Sequence, residues 1–144
     1  MNWIALAVVT AAFYALYNIF IKQASAHLQE VLGAVILQAV ALLLGCGWLI
    51  YLKMTGVPLE VTSRGVGLSI LAGIFVGLAE ICSFLVFARG VPASAGVPVI
   101  IGGSVLIAAV IGIVWLRESL GIYQILGLVL IVGGIWLLSA KTAP

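Results

Sequence analysis

The stretch GVPASAGVPVIIGGSVLIAAVIGIVWL, residues 90–116, runs from Arg89 to Arg117 without one charged side chain. A helix crosses a bilayer in about 20 apolar residues, so this run is long enough. The pattern repeats outward from it. Residues 119–140 lie uncharged between Glu118 and Lys141, and residues 31–52 between Glu30 and Lys53. Residues 2–21 end at Lys22, and the run from Gly65 to Ala88 is interrupted once, by Glu80. The runs predict five transmembrane helices, over about 2–22, 31–53, 66–88, 95–116 and 120–140. Membrane β-barrels alternate apolar and polar residues in segments of roughly ten. These runs are longer and do not alternate, and hydrocarbon forces backbone amides to pair within their own segment. The reading is an all-α integral membrane protein, one transmembrane domain over residues 1–144.

Composition agrees. The chain has 144 residues, 65% of them hydrophobic, with six Lys and Arg and four acidic residues. A soluble domain of this size would carry roughly 36 charges. Ten cannot cover a water-exposed globule, and disorder demands the opposite balance. A net charge of +2, spread along the chain, gives no nucleic-acid patch. The links are short. Met54–Arg64 is the longest, with Gly56 and Pro58, and Arg89-Gly90-Val91-Pro92 reads as a tight turn. No soluble catalytic or nucleotide-binding domain fits in what is left. Cys46 and Cys82 fall inside antiparallel helices toward opposite faces, which argues for small apolar packing residues and against a disulfide.

Five spans put the termini on opposite sides. Lys53, Arg64 and Arg117 then share one side, and Lys22, Arg89 and Lys141 the other. Orientation follows the Lys and Arg bias, and here there is a tie. A tie permits insertion both ways and an antiparallel homodimer, which would rebuild from two chains the inverted repeat of many transporters. A hidden bias or a partner that fixes the orientation is the other reading.

Glu80 is the acid placed within an apolar span. Such residues usually face a bundle interior or a wet cavity and serve ion or substrate pathways. A structural carboxyl bonded between helices is the plain alternative. Ser69, Gly73, Gly77, Glu80 and Ser83 share a helical face, whose small residues admit a close neighbour. Thr10, Tyr14, Tyr17 and Asn18 form a stripe on the first helix, able to line a cavity, and Gln38 of the second helix can join it or bond another helix. Trp3 reads as an interface anchor. Pro98 with Gly102 and Gly103 suggests a hinge or close packing in the fourth helix. Gly127, Gly133 and Gly134 suggest a contact face on the fifth. One His, no Asp and no Gly-rich phosphate loop leave a hydrolytic or metal site almost no raw material. The expectation is no enzyme, no metal and no cofactor.

Three segments resemble the EamA-type repeat of the drug/metabolite transporter superfamily. Phe87-Ala88-Arg89-Gly90-Val91-Pro92-Ala93-Ser94 is similar to the family's turn after its third helix. Trp115-Leu116-Arg117-Glu118-Ser119-Leu120 resembles the GE-R-L element that ends its fourth. Gly127-Leu128-Val129-Leu130-Ile131-Val132-Gly133-Gly134 is similar to its last helix. Full-length members carry two repeats in ten helices, so the chain resembles a half-length unit. The resemblance implies a helical bundle around a central cavity, and secondary transport or export of small metabolites, often across a bacterial inner membrane. The related small multidrug resistance proteins also end their first helix in Lys, as at Lys22. They carry a Glu where this chain has Tyr14, and their cage aromatics fall near Val97 and Ile100. Cationic drug export does not carry over.

The sequence reading is therefore a secondary transporter working as a dimer of half-length units in the inner membrane of a bacterial or archaeal cell. Its partners are a small-molecule substrate, protons, the lipid bilayer and a second copy of itself. Glu80 would couple protons, and Tyr14, Tyr17, Asn18 and Gln38 would line the cavity. A flippase for a lipid-linked sugar is one alternative, and a non-transporting membrane subunit that stabilises a partner complex is another.

Overall fold

A computed structural model describes residues 2–140. All regular structure among these residues is helical: α1 (Trp3–Ala24), α2 (Glu30–Met54), α3 (Ser63–Ala88), α4 (Ala93–Val114) and α5 (Ile122–Ala140). The first four are long and apolar enough to cross a membrane; the apolar stretch of α5, Ile122–Leu138, is shorter. Lys141, one of the six cations in the orientation count, lies outside the described residues.

Local chemistry sets the helix ends. Gln29 Oε1 accepts from Leu32 N at 2.9 Å and starts α2. Thr62 Oγ1 accepts from Gly65 N at 3.1 Å, so α3 begins three residues before the expected start at 66. Such caps satisfy donors that the first turn leaves unpaired. Gly90 takes φ +86°, a left-handed conformation that glycine adopts without a Cβ penalty, and it turns the chain from α3 into α4. The α4–α5 link is longer than the hydropathy suggests. Trp115 N and Leu116 N both bond Ile111 O, Glu118 N bonds Gly112 O, and Arg117 has φ +55°. That closing turn takes Trp115 and Leu116 out of the helix expected to reach 116. Gln124 Oε1 accepts from Gly121 N at 2.6 Å where α5 begins.

The chain divides into two compact units. One comprises Met1–Ile19 with Gly90–Pro144, and in it α4 packs on α5. The other is Phe20–Arg89, where α2 packs on α3. In that second unit Gly33 lies opposite Phe84 and Gln38 opposite Gly77. The numbers rise along one helix as they fall along the other, so the pair is antiparallel.

The burial pattern is inverted relative to a soluble domain. The buried apolar residues are Ile21, Ala34, Phe84, Phe87 and Ala95, while large apolar side chains are exposed along all five helices. Trp3 is among the exposed ones, and so are Cys46 and Cys82; neither thiol packs inside this chain as the sequence had suggested. With lipid outside, apolar side chains gain little by turning inward, and helices join through close packing and polar contacts. The buried polar residues are Asn18, Ser25, Glu80 and Ser83.

Candidate functional site

The buried face of α3 is built from Glu80, Ser83, Phe84 and Phe87, at the three- and four-residue spacing of one helical face. Glu80 lies about 7 Å from the midpoint of α3 at 1.5 Å per residue. The residue is 8% exposed, and its Oε2 has no hydrogen-bond partner among the described residues. Ser83 Oγ donates to Ala79 O at 2.8 Å, so its hydroxyl is committed to its own helix.

The side chains around this face explain how it closes. Phe84 rests against Gly33 of α2: a Cβ there would stand 2.5 Å from ring atom Cε1. One turn beyond Phe84, Lys22 Nζ donates to Phe87 O at 3.2 Å, placing a cation at the C-terminal end of α3 where the helix dipole favours it. One turn before Glu80, the Gln38 amide stands 3.5 Å from where a Cβ on Gly77 would lie. Gln38 and Glu80 thus belong to one antiparallel pair, with Gln38 about one turn away along α3.

A second feature lies between α1 and α4 in the other unit. Thr10, Tyr14, Ile101 and Ser104 line a groove of about 570 Å³ together with Ala7 and Ala11. Thr10 Oγ1 donates to Leu6 O at 2.9 Å, and Ser104 Oγ to Ile101 O at 2.7 Å. Their protons are spent on backbone carbonyls, so toward a further group these hydroxyls act as acceptors. The Tyr14 and Tyr17 rings meet edge to face with centroids 6.0 Å apart. Asn18 is buried and its Nδ2 donates to Tyr14 O at 2.7 Å. The structure therefore gathers Tyr14, Tyr17 and Asn18 in one unit, and Gln38 with Glu80 in the other.

The glycines divide in the same concrete way. A Cβ on Gly102 would stand 2.6 Å from Ile135 Cδ1, so Gly102 is where α5 comes close to α4. At Gly73, Gly103, Gly127, Gly133 and Gly134 an added Cβ meets nothing within 4 Å. Pro98 lies inside α4, which runs on unbroken to Val114. It lines a smaller groove of about 280 Å³ with Ala15, Ile19 and Ser94 among its neighbours.

Phe84, Gly33 and Ser104 were not singled out from the sequence, where Phe87 entered only as part of the turn after the third helix and Lys22 only as a charge at the end of the first. The two phenylalanines had a signal, since they stand four and seven residues after Glu80 on its own face. Gly33 had none, because its role depends on which residue α3 sets opposite. Chemically, one unit offers a buried carboxyl with a free acceptor, the other a hydroxyl-lined groove without a charged side chain. No cluster of three or more His, Cys, Asp or Glu exists among the described residues.

In comparison with known proteins, the model of the EamA-like transporter family aligns with residues 1–140. No curated protein and no solved structure matches the chain.

Proposed function

The chain belongs to the EamA-like transporter family, a family of membrane transporters of small molecules, and on that premise we propose a homodimeric secondary transporter that exports small organic metabolites in exchange for protons. The observation that carries this reading is the buried carboxyl of Glu80 with its unpartnered Oε2. A carboxylate within an apolar span is costly unless a proton, a cation or water compensates it. Glu80 is the proton site, and Gln38, set against Gly77 about one turn away along α3, is a nearby polar group. The α1–α4 groove with Thr10, Tyr14 and Ser104 takes the substrate, with Tyr17 and Asn18 holding Tyr14 in place. Proton and substrate act on one alternating-access equilibrium: each binds one state better than the other, which couples them. Two copies, antiparallel as the charge tie permits, supply the paired repeats that such a mechanism uses. The setting is the inner membrane of a bacterium or archaeon.

The test is reconstitution. A metabolite panel is screened by electrical recording on wild-type protein at two pH values, and active compounds are repeated with Glu80→Gln and Glu80→Asp. Glu80→Gln should retain folding and lose proton-coupled flux. Glu80→Asp should keep part of the flux with a shifted pH profile. Wild-type flux and pH dependence in Glu80→Gln would reduce Glu80 to a structural group.

A further inference from the structure

Two polar side chains meet the seam between α2 and α3, and each lacks what the other carries. Glu80 is buried, and its Oε2 has no partner among the described residues. Gln38 is half-buried, and its amide makes no hydrogen bond among the described residues. One group is short of a donor, the other holds two N–H donors. Both lean toward Gly77. A helical side chain lies over the turn N-terminal to its own Cα, so Glu80 covers the turn of Val76 and Gly77, about 4.5 Å back along the axis. The Gln38 amide is already at that turn: its Nε2 and Oε1 stand 3.5 and 3.7 Å from where a Cβ on Gly77 would lie. Gly77 has no Cβ, so it puts no side chain between the two groups.

The other donors and charges of this unit are spent or distant. The Ser83 hydroxyl donates to Ala79 O at 2.8 Å. The backbone N–H groups of mid-α3 are used within the helix. Lys22 of α1 donates to Phe87 O, about 10 Å along the axis from Glu80. On α2, Glu30 lies beyond the contact of Phe84 with Gly33, and Cys46, Tyr51 and Lys53 lie two turns or more past Gln38. On α3, Arg64 is about 24 Å away along the axis, and Cys82 is exposed, off the buried face. His27 and Glu60 stand in the links. The donor that remains within one turn of Glu80 is the Gln38 amide.

We infer that Gln38 is the positioning residue of the proton site: its amide N–H turns onto the Glu80 carboxylate when the proton leaves to water, and lets go when the proton returns. This rests on reading Glu80 as the proton site. The ionised carboxylate takes the N–H in a charge-assisted hydrogen bond, with water on its remaining lone pairs. The protonated carboxyl has an O–H of its own to give to a carbonyl of α3, and the amide then stands apart, as it does in this structure. A bond across the α2–α3 seam therefore forms and breaks with one proton. The seam gains two arrangements whose balance depends on protonation, which is what an alternating-access equilibrium can follow. Gln38 acts through Glu80 and need not touch substrate.

Infrared spectroscopy of the full chain in native-lipid vesicles tests this without transport. The C=O band of protonated Glu80 is the one that Glu80→Gln removes, and its loss with rising pH gives a titration midpoint. Taking a donor from the ionised form makes the proton harder to remove. Gln38→Leu should therefore raise the midpoint by about one pH unit or more, the shift expected for a lost hydrogen bond to an ion. Gln38→Met should do the same should Gln38→Leu fail to fold. Gly77→Val keeps Gln38 but fills the space where the two groups meet, and should raise the midpoint by about half a unit or more. Ser83→Ala should stay within about 0.3 unit of wild type, because its hydroxyl serves its own helix. An unmoved midpoint in the Gln38 variants or in Gly77→Val, an equal rise in Ser83→Ala, or a Glu80 band that no pH removes would each overturn the inference. The two readings fail separately. Wild-type coupled flux in Glu80→Gln, with the midpoint raised in Gln38→Leu, would end the proton-site reading and leave the pair standing. Lost coupling in Glu80→Gln with an unmoved midpoint in Gln38→Leu would do the reverse.

Discussion

Replacing Glu80 by leucine is expected to stabilise the fold while removing coupling. Glu80 is 8% exposed and its Oε2 has no partner among the described residues. Leaving a buried polar group unpaired costs about 1–3 kcal/mol, and more for an ion. Leucine has similar bulk and no polar atom, and imperfect shape at a well-packed site returns up to about 1.5 kcal/mol. The middle of these ranges is a net gain of about 1 kcal/mol. Functional sites commonly store such a deficit, and removing it exchanges activity for stability. Reversible unfolding by sodium dodecyl sulfate in mixed micelles, followed by far-UV circular dichroism, measures the difference. A loss of 1 kcal/mol or more with helix content preserved would mean that Glu80 holds the fold together, and the argument from its unpartnered oxygen would be refuted.

Three further outcomes follow from the packing and the charges. Gly102→Ala should destabilise by about 1–3 kcal/mol, because its Cβ would stand 2.6 Å from Ile135 Cδ1; Ile135→Val deletes that atom and should recover part of the loss in a double-mutant cycle. Lys22→Met should cost about 1 kcal/mol in the same unfolding assay, since it removes the donor to Phe87 O and the cation at the end of α3. Reporter fusions at the C-terminus should signal on both sides of the membrane, and two lysines added to the α2–α3 link should shift the population to one side; a wild-type chain found wholly in one orientation would remove the antiparallel dimer.

The five helices were legible because span length and charge breaks are one-dimensional signals. Their ends were less so. Trp115 and Leu116 are as apolar as the helix before them, yet the bonds to Ile111 O and the left-handed Arg117 close the helix at Val114. Hydropathy does not encode such turns. The candidate site was legible as a set of residue types on helical faces. Glu80 announced itself by its charge, and Tyr14, Tyr17 and Asn18 by their spacing. What stands opposite each face was not legible. Gly77 and Gly102 meet a neighbour while Gly73, Gly103, Gly127 and Gly134 meet none within 4 Å, although all six share the same local signature. The seat of Phe84 on Gly33 depends on the register of two antiparallel helices, which nothing local to either helix fixes.

The hydrogen bonds of the buried polar residues separate Glu80 from the rest by chemistry alone. Asn18 donates to Tyr14 O, Ser25 to Lys22 O and Ser83 to Ala79 O. The two serines meet their need on a carbonyl within one turn of their own helix, and Asn18 does so for one of its amide protons. A carboxylate cannot do this. It has acceptors only, and in mid-helix every backbone N–H is already spent on the carbonyl four residues back. Glu80 must therefore take a donor from elsewhere. A captured proton is such a donor, and it changes the local accounting: the resulting O–H can bond the Val76 carbonyl one turn back, as the Ser83 hydroxyl bonds Ala79 O. The protonated side chain is then satisfied by its own helix, while the ionised one calls for water or a cation. The two states differ in what they demand of the surroundings, and that difference is what an alternating-access equilibrium needs in order to respond to a proton.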